Sequence, residues 1–266
     1  MLAEALDFKA ESDGLYALMK DLDDAAFDEP TQFKGWTLNN VLEHLHVWNW
    51  AANQSHVDEA DFVQWLDGVM KAVMAGGMRD FEADWIGGLH GRALLETWHN
   101  FYTDMAARFV EVDPKKRLKW AGPDMSARSS ISARLMETWA HGQEVYDHLG
   151  VVRQNQDHIK SICVLGTNTF GWTYATRGET PPGPMPFVQL RAPSGEVWQF
   201  GEPSETERVE GEAEQFCQVV TQTRNIADTD LQVTGSVATD WMRKAQCFAG
   251  APETPPAPGT RFTRNA

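Results

Sequence analysis

The chain has 266 residues, 42% of them hydrophobic, with 38 Asp and Glu against 23 Lys and Arg, for a formal net charge of −15. That length suits one large domain or two ordinary ones and supplies a sizeable core without disulfides. The acidic surplus excludes nucleic acid and an anionic membrane as main partners, because both need a basic footprint.

The N-terminal stretch carries charge from Glu4 onward and lacks an apolar core of signal-peptide length. No run of about 18 apolar residues is present, so no membrane span is expected. Cys163, Cys217 and Cys247 are scattered, form no CxxC pair, and read as reduced, buried cytosolic thiols. A cytoplasmic protein is expected.

The first half reads as helices. Leu15, Leu18, Met19 and Leu22 repeat at helical spacing. The loop DEPTQFKGWT follows, and Thr37 is a natural N-cap for a second helix with Leu38, Val41, Leu42, Leu45, Trp48 and Ala52 on one face. A shorter piece over 62–74 ends at Gly76-Gly77. A third long helix carries Leu94, Leu95, Trp98, Phe101, Tyr102, Met105 and Phe109 before Pro114. The fourth carries Ile131, Leu135, Trp139, Tyr146 and Leu149, with Gly150 as its C′ residue. Four long amphipathic helices imply a four-helix bundle over 1–155.

Beyond that point the texture changes. A helix is expected over 158–175, then a proline-rich connector, TRGETPPGPMP (176–186). A hairpin over 187–200 turns at Ser194-Gly195. A helix over 212–224, a strand over 231–234 and a helix over 237–248 complete a small α+β domain, 156–250. The tail, 251–266, reads as irregular. The fold class is mainly α with a small C-terminal α+β domain.

Two metal constellations compete. A ferritin-like di-iron site needs Glu-x-x-His on two helices, and Glu43…His46 and Glu96…His99 have that spacing. Both glutamates lie about 160° from the apolar stripe of their helix, so they cannot point into the bundle interior. The other constellation pairs Glu137 with His141 at i, i+4 on helix four, beside His44 and His46 on helix two. Glu137 and His141 also lie off the stripe, by about 160° and 120°. They share a polar face with Arg134, Glu144 and His148, which spacing alone reads as solvated. A metal held there must sit outside the bundle core.

GWTLNNVLEHL (35–45) and RLMETWAHGQEVYDHLG (134–150) resemble the paired helix motifs of the DinB/YfiT-like metalloprotein superfamily. VVTQTRNIADTDLQVTGSVATDWM (219–242) resembles the small domain of mycothiol-dependent maleylpyruvate isomerases and their metal-binding relatives. The resemblance implies that His44, Glu137 and His141 ligate one divalent cation, with His46 an extra histidine. Zinc is the preferred metal, though nickel, iron, cobalt and manganese also suit His₂Glu. It implies a catalytic Arg224, in QTR where the isomerase has TGR, clamping a substrate carboxylate. A surface arginine closing a helix is the plainer reading of that residue. His148 reads either as a partner behind the ligands or as a solvent-facing histidine.

The implied activity is thiol-dependent. A low-molecular-weight thiol adds as thiolate to an activated C=C bond of a small unsaturated acid or acyl substrate, and rotation with expulsion gives the isomer. Transfer to another acceptor would give a thiol adduct. A hydrolase or hydratase using metal-bound hydroxide, and a non-catalytic metal-binding protein, are the alternatives. Homodimers are common among such relatives.

Overall fold

The computed structural model describes residues 1–264; the last two positions of the tail lie outside the described residues. The chain forms two compact units, Met1–Val145 and Tyr146–Ala266.

In the first unit four long helices make the bundle: α1 (Ala3–Met19), α2 (Leu38–Val57), α5 (Gly91–Val110) and α6 (Ala127–Leu149), whose last turn, from Tyr146 on, belongs to the second unit. Helix α2 begins where Thr37 predicts. The Thr37 side chain accepts from the Asn40 N–H, and the Asn40 side chain accepts from the Thr37 N–H, a capping box that satisfies two end groups. Helix α6 ends at Leu149 because Gly150 takes φ +68°. The Val151 N–H then reaches the Tyr146 carbonyl, a Schellman closure that only a residue free of Cβ strain enters cheaply. Helices α1 and α2 both pack on α5. Phe8, Leu15, Leu45, Leu95, Trp98, Tyr102, Phe109, Leu135 and Trp139 are wholly buried in this core.

Between α2 and α5 stand two further helices, α3 (Glu59–Met74) and α4 (Met78–Ile86), both packed on α2. The sequence reading stopped at Gly76-Gly77 and missed α4. Gly76 does break the chain, at φ +78°, but Met78, Phe81 and Glu82 then line a new turn of helix. A two-stranded ribbon, β1 (Arg117–Leu118) and β2 (Met125–Ser126), precedes α6 and was also unanticipated.

In the second unit the expected 158–175 helix is three pieces: a 3₁₀ turn at Asp157–Ile159, α7 (Lys160–Asn168) and α8 (Phe170–Ala175). The break falls at Thr169, whose hydroxyl turns back onto the Leu165 carbonyl. The hairpin forms as read, β3 (Phe187–Arg191) against β4 (Val197–Phe200), with Val188 opposite Phe200 and Gly195 at φ +89° in the turn. Strand β5 (Arg208–Glu212), not foreseen, runs parallel to β3 and precedes α9 (Ala213–Val220). Strand β6 (Gln232–Thr234) closes a sheet of order β4-β3-β5-β6, and α10 (Ser236–Met242) follows. Gly235 joins β6 to α10 at φ +94°, where a Cβ would stand 2.2 Å from the Thr206 carbonyl oxygen.

Two expected helices are shorter than read. Helix α9 stops at Val220 because Gln222 turns left-handed, φ +58°, held by its amide on the Ala245 carbonyl. Helix α10 stops at Met242. No helix of the described residues is long and apolar enough to cross a membrane.

Candidate metal centre

The site is assembled by α2, α4, α6 and the loop that leads into α2. Glu137 and His141, one turn apart on α6, and His44 on α2 bring one ligand atom each to a common point, all within 4.8 Å of one another. Glu137 Oε2 lies 3.7 Å from His44 Nε2 and 3.5 Å from His141 Nε2. Ligands of one tetrahedral cation stand about 3.3 Å apart, from bond lengths of about 2.0–2.2 Å, so both Glu137 spacings are close to those around a single ion, and the histidines, within 4.8 Å, would close in around it. The three side chains are 11%, 20% and 10% exposed, which leaves the cluster reachable but largely desolvated.

The nitrogens turned away from this point are occupied by carboxylates. His44 Nδ1 is 2.8 Å from Glu82 Oε1, and His141 Nδ1 is 3.3 Å from Glu144 Oε2. A carboxylate can only accept here, so these nitrogens carry the proton, and in the neutral ring it is Nε2 that has the lone pair for a metal. The donor set and its outer partners therefore fit a divalent cation on this chain's own geometry.

The electrostatics of the metal-free cluster follow from crowding. Burial disfavours the imidazolium of His141, but Glu144 and Glu137 outweigh it and push the group up to about 9. Burial would likewise raise Glu137; the two imidazoles that face it, His141 and His44, with Arg134 nearby, hold it well below the carboxylate range instead.

The loop 30–37 roofs the histidines. Thr31 N–H bonds the Trp36 carbonyl, and Lys34 (φ +50°) and Gly35 (φ +71°) turn the chain between them. Trp36 stacks on His141 at 5.4 Å and 6°, and Phe33 meets the same ring edge-on at 5.3 Å. Helix α4 contributes Arg79, which pairs with both Glu43 and Glu82 and lies 4.5 Å over Trp36.

The polar face of α6 is a correction to the sequence reading. Arg134, His141, Glu144 and His148 are all buried, none solvated. Spacing locates such a face but not what covers it. Trp48, read as a core residue, is half-buried and donates its indole N–H to Glu82 at 2.9 Å. The di-iron fragments are engaged elsewhere. Glu43 binds Asn39, Asn40 and Arg79, and Glu96 accepts from the Tyr16 hydroxyl. His46 is packed between Trp85 and Phe101. Sequence reasoning missed Glu82 and Arg79, whose only local signal was the short amphipathic run of α4.

Arg224 lies in the second unit, beyond the end of α9, and is buried rather than on the surface. Its two terminal nitrogens bind the Asp147 carboxylate at 2.7 and 2.6 Å. The cysteines are all buried. Cys163 and Cys217 stand 3.5 Å apart, and burial with the neighbouring thiol raises Cys217 well above its ordinary range, the reverse of an activated nucleophile.

The chain resembles known proteins over most of its length. Two Mycobacterium tuberculosis proteins described as uncharacterized, from different strains, are each 37% identical over 246 residues, covering 92% of this chain and 95% of the relative. The crystal structure of the mycothiol-dependent maleylpyruvate isomerase shares the fold at 16% identity, with a TM-score of 0.53 over 82% of this chain and 87% of that one. A point mutant of that enzyme matches equally, at 15% identity. Residues 8–146 match the family model described as the mycothiol maleylpyruvate isomerase N-terminal domain, and the chain belongs to that family.

Proposed function

We propose that this protein is a metal-dependent enzyme that activates a low-molecular-weight thiol for isomerisation of, or transfer to, a small unsaturated acid or acyl substrate. The observation that carries the proposal is the convergence of His44, Glu137 and His141 with a carboxylate behind each imidazole. Membership of the isomerase N-terminal domain family supports the thiol chemistry. Zinc is the metal proposed, because two imidazoles and a carboxylate leave a fourth position open.

A divalent cation at this point supplies the positive charge that favours a bound thiolate over the thiol. The chain does the rest. Glu82 and Glu144 hold the two imidazoles in one tautomer. Phe33 and Trp36 cover the His141 ring and keep water from that side. Arg224 is proposed to receive a substrate carboxylate, which requires the substrate to share or displace Asp147.

Metal analysis of the purified protein tests the ligand set. Wild type should carry close to one metal per chain, and His44→Ala and Glu137→Ala should lose it; full retention in both would remove the site. In the cobalt-substituted protein, mycothiol or glutathione should shift the visible spectrum. A centre indifferent to thiols but active on esters or amides would instead establish the hydrolase reading.

A further inference from the structure

The four long helices account for all three ligands, yet the tightest contact to a ligand comes from outside them. Glu82 sits on the nine-residue α4 and is 1% exposed. One of its oxygens, Oε1, faces both His44 Nδ1, at 2.8 Å, and Trp48 Nε1, at 2.9 Å. The other binds the guanidinium of Arg79. A carboxylate is this deeply buried only where donors surround it, and here three converge. Arg79 in turn reaches Glu43 and lies over Trp36, which stacks on His141. Side chains of α4 thus bear on both histidines, one directly and one through an aromatic ring.

We infer that Glu82 is the positioning residue of the centre: from α4 it fixes the tautomer and ring angle of His44, with Arg79 and Trp48 locking its carboxylate in place. The inference rests on the metal-site reading above. Glu82 faces Nδ1 of His44, the nitrogen turned away from the ligand point, so its effect is on affinity and on the imidazole itself. Glu144, at 3.3 Å from His141, makes the looser equivalent contact.

The test uses the full-length protein with zinc as the probe, competed against a chelator. Glu82→Ala should weaken zinc binding about 10–100-fold, the usual effect of deleting such a partner. Glu82→Gln, which keeps an oxygen acceptor and the side-chain volume, should recover part of that loss. In the metal-free protein, nitrogen-15 NMR of the imidazoles should show His44 as the Nδ1–H tautomer in wild type and a shift toward Nε2–H in Glu82→Ala. A loss of packing alone would not produce that shift. Zinc affinity in Glu82→Ala within about twofold of wild type overturns the inference. Failure of the underlying reading looks different: His44→Ala then binds zinc as well as wild type does, or wild type binds none, and both ideas fall together.

Discussion

Two buried polar clusters, one in each unit, are built from the same kinds of side chain and behave oppositely. In the second unit Arg224 and Asp147 consume each other. Both terminal guanidinium nitrogens meet the carboxylate, one also donates to the Thr223 carbonyl, and the Thr263 hydroxyl takes up Asp147 Oδ1. In the first unit His44, Glu137 and His141 are held from behind, and their remaining donor atoms gather at one point. A saturated cluster specifies packing, whereas one with lone pairs left over in a common direction is equipped to hold a ligand.

The comparison breaks most sharply at Arg224. The pair is 10% and 4% exposed, so Arg224→Met should strand a buried carboxylate and cost about 3–5 kcal/mol in urea unfolding. Metal content should be unchanged, and adding Asp147→Leu should restore most of the loss. Turnover should fall as well, because Arg224 is also the residue proposed to receive the substrate carboxylate; unaltered stability would show that the pair does not hold the fold, and retained turnover that Arg224 does not bind substrate.

His46 supplies a third case, two residues from a ligand. Burial alone pushes it down to about 4, and Nδ1 has no hydrogen-bond partner among the described residues. The unfolded chain takes up a proton near pH 6.5 that the folded chain refuses until about 4. Stability should therefore fall by on the order of 3 kcal/mol as pH drops through that window. His46→Phe should flatten the slope in denaturation curves at pH 7 and 4.5. An unchanged slope would show that His46 is not the group responsible.

The smallest effect sharpens the reactive cluster. His141 in the metal-free protein stays protonated up to about 9, and a ligating nitrogen must be neutral. Metal affinity should rise by at most about tenfold per pH unit up to about 9, then level off. Calorimetry in two buffers of different ionisation heat should register about one proton released at pH 7.5. In the metal-free protein the same raised value stabilises the fold fully below about 6.5, and the contribution fades as pH climbs through about 9. Metal uptake without proton release would mean that His141 is already neutral.

Much of the fold was legible because its signals are local. Thr37 with Asn40 starts α2, Gly150 ends α6, and Ser194-Gly195 turns the hairpin. Strand β5 was not legible, since RVEGE has no alternation strong enough to separate it from a loop. The spacing of Glu137 and His141 is likewise intrinsic to one helix, and the matched motifs pointed to His44. Glu82 could not be found that way, because it meets His44 across 38 positions, through a helix whose turn had been read as a stop. Arg224 meets Asp147 across 77.

By itself, then, the sequence determined the long helices, their caps, the hairpin and the candidate ligand types, since these depend on neighbours three or four residues away. Only the tertiary structure decided that the polar face of α6 is buried, that α4 supplies the carboxylate behind His44, and that Arg224 is already paired. Those outcomes depend on which distant surfaces exclude water from a given group, and no periodicity along the chain encodes that.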